Sequence, residues 1–148
     1  MDAVVNESSA TLLARAYLDQ STRFALIVGT GINAAIHLPV NALGQGKFGP
    51  RPQSWHEKAK RVVVNVELSM FGMSILATTK WDEHLNATHL LPGFQPFEQL
   101  VGGRYLGEIV RLILVDAVQT AGLFHGDMPD SLLEPYSLDT ATMGIIEA

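Results

Sequence analysis

Phe24-Ala25-Leu26-Ile27-Val28-Gly29-Thr30-Gly31-Ile32-Asn33-Ala34-Ala35-Ile36 is the stretch on which the fold turns. The run before the glycines is short and mostly bulky or β-branched, which predicts a strand buried on both faces. Two glycines flanking a threonine let the backbone turn tightly, leaving N–H groups and one hydroxyl to face an anion such as phosphate. Ile32 to Leu38 resumes as a second strand, so the unit reads as a β-hairpin with a polar tip. Taken alone, the motif fits an ordinary glycine-containing hairpin turn better than a phosphate site.

Towards the start of the chain, Ala3-Val4-Val5 reads as a strand, followed by the cap-forming run Asn6-Glu7-Ser8-Ser9 and a helix from Ala10 to Leu18. Capping and a carboxylate at the positive end of the helix suffice to explain Asn6 and Glu7. On the other side, residues 39–61 hold three prolines, three glycines and five basic residues, and read as a surface excursion. Gly44-Gln45-Gly46-Lys47-Phe48-Gly49 matches G-x-G-x-x-G by letter only, because no strand leads into it and no helix clearly leaves it. Arg61 to Leu68 predicts another strand, with the carboxylate of Glu67 at its end. A short helix follows over Thr79–Asn86, then a Pro92-Gly93 turn. The apolar spacing from Phe97 to Val118 predicts one long helix from Gln95 to Ala121, stopped by Gly122, with Glu98 in its first turn. A loop over Gly126–Pro135 and a last helix capped at Ser137–Asp139 complete the pattern.

A chain of 148 residues with 47% hydrophobic content can bury one core, as a single domain or part of a larger one. No apolar run is long enough to span a membrane, and the first residues lack the pattern of a secretory leader. A cytoplasmic protein is the expectation, and the absence of cysteine agrees with a reducing compartment. A net charge of −5 argues against nucleic acid or an anionic membrane as a partner. The five histidines show no metal-ligand spacing, and there is no nucleophile elbow or P-loop.

What remains is a set of polar residues where strands end and helices begin: Asn6, Glu7, Thr30, Asn33, Asn65, Glu67 and Glu98. Ligands of open α/β sheets bind at the carboxyl ends of the strands. Carboxylates and amides suit vicinal sugar hydroxyls, and a Gly-Thr-Gly turn suits phosphate. The combination points to a sugar beside a nucleotide.

Several segments resemble the hexokinase family, its fungal members in particular. Val4-Val5-Asn6-Glu7-Ser8-Ser9-Ala10-Thr11-Leu12-Leu13-Ala14-Arg15-Ala16-Tyr17 is similar to the family's V-V-N-D-T-V-G-T-L-M-A-R-A-Y. Ile27-Val28-Gly29-Thr30-Gly31-Ile32-Asn33-Ala34-Ala35 resembles I-x-G-T-G-x-N-x-x, and Asn65-Val66-Glu67-Leu68-Ser69-Met70-Phe71-Gly72 resembles N-x-E-W-G-x-F-G. Pro92 to Glu98 is similar to P-G-x-Q-x-F-E, and Tyr105-Leu106-Gly107-Glu108-Ile109-Val110-Arg111-Leu112 looks like the helix that follows. The resemblance implies an α/β fold of the actin-like ATPase, ribonuclease H-like kind, with residues 1–148 an incomplete large, C-terminal lobe of a sugar kinase. It implies that Asn6, Asn33, Glu67 and Glu98 hold the hydroxyls of a hexose, glucose first among them. By the same resemblance Gly29, Thr30 and Gly31 approach the phosphates of ATP, with Mg²⁺ neutralising them, and Glu7 stands where the family has the aspartate that takes the proton from the 6-hydroxyl.

The departures from the pattern fall near the reacting atoms. Glu7 is one methylene longer than aspartate, and a displacement of about 1 Å can cost on the order of 100-fold in rate. Ser8, Ala10, Leu68 and Ser69 also differ from the family residues. The family's small lobe with its Asp-Gly-Gly-Thr loop, and the adenosine-binding segment beyond Ala148, have no counterpart here. The expectations are therefore a hexose 6-kinase in partial form, a degenerate sugar-binding regulator, or an inactive partial product whose truncated sheet edges favour self-association.

Overall fold

The computed structural model describes residues 4–146. The expected α/β class holds, and the chain falls into two compact units, one running up to Ile27 and over Asn33–Glu67, the other over Val28–Ile32 and from Leu68 onward.

The first unit begins with helix α1 (Glu7–Leu18). Asn6 caps it, its side chain accepting the N–H of Ser8 at 2.9 Å, as the polar run before the helix predicts. Val4 and Val5 are not in a strand, whereas Ala3 lies outside the described residues. Both valines are exposed, and a strand persists only where a neighbour takes up its backbone groups.

Strands β1 (Phe24–Val28), β2 (Ile32–Pro39) and β3 (Arg61–Asn65) form a three-stranded sheet in that order. The three-residue link Gly29–Gly31 makes β1 and β2 the expected hairpin. Strand β3 runs antiparallel to β2, with Ala35 opposite Asn65 and Pro39 opposite Arg61. Leu12 of α1 is fully buried and packs with Ala25, Ala35 and Val63, one residue from each strand. One helix covers one face only, so the expectation that β1 is buried on both faces fails. Phe24, Leu26 and Val28 alternate onto the open face and remain 53%, 46% and 62% exposed. Strand β3 also stops earlier than its β-branched run suggests. Glu67 has φ +53°, a left-handed conformation a strand cannot accommodate, and a 3₁₀ turn over Leu68–Met70 follows. The excursion between β2 and β3 carries two 3₁₀ turns and the short helix α2 (Gln53–Lys58), on which Trp55 meets Phe48 at 5.1 Å between ring centroids. Gly44–Gly49 lies among these turns, away from any strand-to-helix junction.

The second unit is helical. Thr79 opens α3 (Lys80–Thr88) with a reciprocal capping box, accepting the N–H of Asp82 while Asp82 accepts the N–H of Thr79. Gly93, with φ +79°, completes the Pro-Gly turn, where Phe94 N–H donates to Leu91 O at 3.1 Å. The long helix expected from Gln95 to Ala121 is two helices, α4 (Pro96–Val101) and α5 (Gly103–Ala121), parted at Gly102 where ψ swings to 135°. The break has a cause outside the helix. It frees the N–H groups of Gly103 and Arg104 to donate to Gly29 O (2.7 Å) and Thr30 O (3.0 Å). A Cβ on Gly103 would sit 2.9 Å from Gly29 O, so the approach requires glycine.

The first turns of α5 hold the end of the described chain. The Thr140 hydroxyl, from α6 (Thr140–Ile146), donates to Gly103 O and accepts from Gly107 N–H, entering the helical ladder. A Cβ on Gly107 would lie 2.1 Å from Leu138 O. One turn on, Glu108 and Arg111 form a two-pronged ion pair, both bonds 2.7 Å, with side chains only 7% and 8% exposed. Arg111 also donates to Leu132 O, and Glu108 accepts from Tyr136 N–H, so every arm of the pair has a partner within the unit.

Candidate functional site

In the first unit, one hydrogen-bonded chain links residues far apart in sequence. The Oδ1 of Asn6 takes two bonds from Ser8, from its N–H at 2.9 Å and its hydroxyl at 2.6 Å. Ser8 is fully buried, and its Oγ also lies 3.3 Å from Asn65 Oδ1. The same Asn65 oxygen accepts from Asn33 Nδ2 at 3.0 Å, while Asn65 Nδ2 donates to Glu67 Oε1 at 2.5 Å. Asn33 is held at its other end too, its Oδ1 accepting Ala34 N–H at 2.8 Å. Three of the expected sugar ligands, Asn6, Asn33 and Glu67, therefore belong to one polar network, and Asn6 and Glu67 remain exposed.

Two members of this network, Ser8 and Asn65, are not among the ligands expected from sequence. Ser8 reads there as one of several cap residues, and its burial has no sequence signature. For Asn65 a signal exists, an amide two places before a carboxylate at the end of a β-branched run, but its partners come from other elements. Glu7 lies in the first turn of α1 with its side chain exposed, and its backbone oxygen accepts the Thr11 hydroxyl. Its carboxylate has no hydrogen bond among the described residues.

In the second unit, the Gly-Thr-Gly turn is fastened from two sides. Its carbonyls take the N–H groups that open α5, and Gly29 N–H closes on Gly31 O at 2.9 Å. From α4, Glu98 Oε2 accepts Ile32 N–H at 2.9 Å. Not every N–H of the segment is therefore available to an anion, in contrast to the open turn expected from sequence. The two glycines differ in kind. A Cβ on Gly31 would come within 2.5 Å of Glu98 Oε2, so glycine there makes room for the carboxylate. A Cβ on Gly29 would meet nothing within 4 Å, and no neighbouring atom of the chain demands glycine there. The Thr30 side chain is exposed beside it. Glu98 is oriented by the start of α4, where Gln95 takes φ +51° and donates from Nε2 to Ser69 Oγ.

The rest of the second unit offers a cavity of about 310 Å³, lined by Met73, Leu76, Leu85, Asn86, Gln99 and Leu100 among others. Its amides are already engaged, Asn86 by Gly93 N–H and Gln99 by Phe94 O. Among the described residues no group of three or more histidine or acidic side chains is placed to hold a metal ion, and no helix is long and apolar enough to cross a membrane.

Comparison with known proteins points one way. The sequence profile described as Hexokinase matches residues 23–148. Hexokinase-2 of Oryza sativa subsp. japonica is 35% identical over 147 residues, and Hexokinase-1 of Nicotiana tabacum is 36% identical over 143. Each match covers 97% of this chain and 28% of the relative, so the chain spans a little over a quarter of the length of these relatives. Among solved structures, the hexokinase from Schistosoma mansoni complexed with glucose superposes with a TM-score of 0.85 at 34% identity, over 98% of this chain and 32% of that one.

Proposed function

Because this chain belongs to the hexokinase family, we propose that it forms the hexose-holding part of an ATP-dependent hexose 6-kinase. The observation that carries the reading is the single network joining Asn6, Asn33 and Glu67 through Ser8 and Asn65. Its exposed Asn6 amide and Glu67 carboxylate, with the half-buried Asn33 amide, are suited to vicinal hydroxyls, which both donate and accept. In this reading Asn6, Asn33, Glu67 and Glu98 bind the hexose, with glucose the first candidate, since the Schistosoma mansoni protein carries glucose in its structure.

The Gly29-Thr30-Gly31 turn is the proposed phosphate contact. The open space at Gly29 and the exposed Thr30 hydroxyl support it, because a phosphate can approach backbone closely where no Cβ stands. ATP with Mg²⁺ supplies the phosphoryl group and the charge to neutralise it when bound. The chain's own share is positioning, which dominates phosphoryl transfer. Glu7 takes the place of the base, receiving the proton of the 6-hydroxyl. Family membership fixes no compartment, one Nicotiana tabacum relative being named as chloroplastic.

A second reading, a sugar-binding regulator without transfer, is favoured by Glu7 itself, whose longer side chain is exposed and unanchored among the described residues. Calorimetry with glucose and a coupled assay for glucose-dependent ADP release, both on the longest native form of the protein, separate the two. Saturable binding with an increase of about 100-fold in rate for Glu7→Asp supports the kinase. Saturable binding without turnover in either form supports the regulator. Absence of saturable binding for any hexose sinks both.

A further inference from the structure

We propose that Asn65 is the positioning residue of the sugar-binding cluster, one side chain that sets the orientation of Asn33 and Glu67 and, through Ser8, of Asn6. The proposal deepens the hexokinase reading and rests on it for the identity of the ligand. Asn65 ends β3 opposite Ala35, and one step further Val66 N–H still donates to Ala34 O at 2.9 Å. Beyond that the backbone leaves the ladder at Glu67, whose φ is +53°. Glu67 thus stands on a left-handed residue that the sheet no longer holds, a conformation that persists only when its surroundings impose it. Asn65 supplies that imposition from both ends. Its Nδ2 donates to Glu67 Oε1, and its Oδ1 faces Glu67 N–H at 3.4 Å.

The chemistry requires an amide at this position. The oxygen gathers Asn33 Nδ2 and Glu67 N–H, both donors, and shares the single Ser8 hydroxyl proton with Asn6 Oδ1, while the nitrogen meets a carboxylate. Aspartate retains the acceptor and loses the donor, setting a second negative charge against Glu67. Leucine, of similar size, loses both. Asn65 is half-buried, and the residues it holds at either end, Asn6 and Glu67, are exposed. A half-buried hub with exposed termini is the arrangement expected of a group that acts on ligands through others.

The test uses the isotope-labelled 148-residue chain and its Asn65→Leu and Asn65→Asp variants, with side-chain amide exchange of Asn33 followed by NMR and glucose affinity by calorimetry. In Asn65→Leu the Asn33 amide protons should exchange about 5- to 10-fold faster, the worth of one hydrogen bond. Backbone signals of the Leu12, Ala25 and Ala35 core should stay in place. In Asn65→Asp the Asn33 protection should persist while glucose affinity falls. Unchanged Asn33 exchange in a folded Asn65→Leu overturns the proposal whatever glucose does. If Asn65→Leu does not fold, an Asn65→Asp variant that binds glucose as tightly as the parent overturns it equally. Parent chain that gives no glucose heat, while Asn33 exchange still depends on Asn65, upholds the positioning role and removes the hexose reading instead.

Discussion

The polar network of the first unit and the Glu108–Arg111 cluster of the second are built from similar groups and differ in what surrounds them. In α5, carboxylate and guanidinium sit at 7% and 8% exposure and spend their valences on each other, Leu132 O and Tyr136 N–H. In the sheet unit, a buried serine and a half-buried asparagine hold Asn6 and Glu67, whose heads stay in water. The first pattern staples the chain. The second leaves groups open to solvent. Exposure, not residue type, separates a structural polar cluster from a candidate site, and substitutions in the two should therefore fail differently.

The largest effect is expected from Arg111→Ala, which leaves the Glu108 carboxylate buried without its partner. A loss of about 3–5 kcal/mol is expected in urea melts. A loss under about 1 kcal/mol, the range of exposed pairs such as Lys80–Asp116, would erase the distinction between the clusters. Gly107→Ala comes next. Its Cβ would press on Leu138 O, and relief of that overlap should cost about 1–3 kcal/mol without altering glucose affinity. On the other side of the comparison, Asn6→Ala removes the α1 cap and should cost about 1 kcal/mol of stability. It should weaken glucose binding as well, and a stability loss with unchanged binding would reduce Asn6 to a cap. The smallest effect concerns Tyr105. Burial raises its phenol above the usual value, so ionisation is harder in the folded chain than in the unfolded one. Stability from this group is complete below the unfolded value and should fall as pH rises past 10 towards the folded value, a decline Tyr105→Phe should lessen in alkaline melts, Tyr136, raised by burial as well, supplying the rest.

Much of the fold is legible in local chemistry. The cap at Asn6, the box at Thr79 and Asp82, the Gly-Thr-Gly hairpin and the stop at Gly122 each follow from residues within a few places of one another. Where reading along the chain fails, the deciding partner is distant. Helical periodicity runs unbroken through Gly102, yet the helix parts there because residues 29 and 30 need its N–H groups. The β-branched run promises a strand as far as Leu68, yet it ends at Asn65. Strand β1 looks two-sided by composition and has one covered face, because a single helix supplies its packing.

The same division holds for the site. The amino-acid order alone was enough to name the family's motifs and to nominate Asn6, Asn33, Glu67 and Glu98, since residue identity and spacing carry chemical capacity. Which of those side chains are tied together, and that Ser8 and Asn65 do the tying, was decided only in three dimensions. Hydrogen bonds between α1, β2 and β3 span 32 to 57 residues of sequence, and no local pattern encodes a contact of that length.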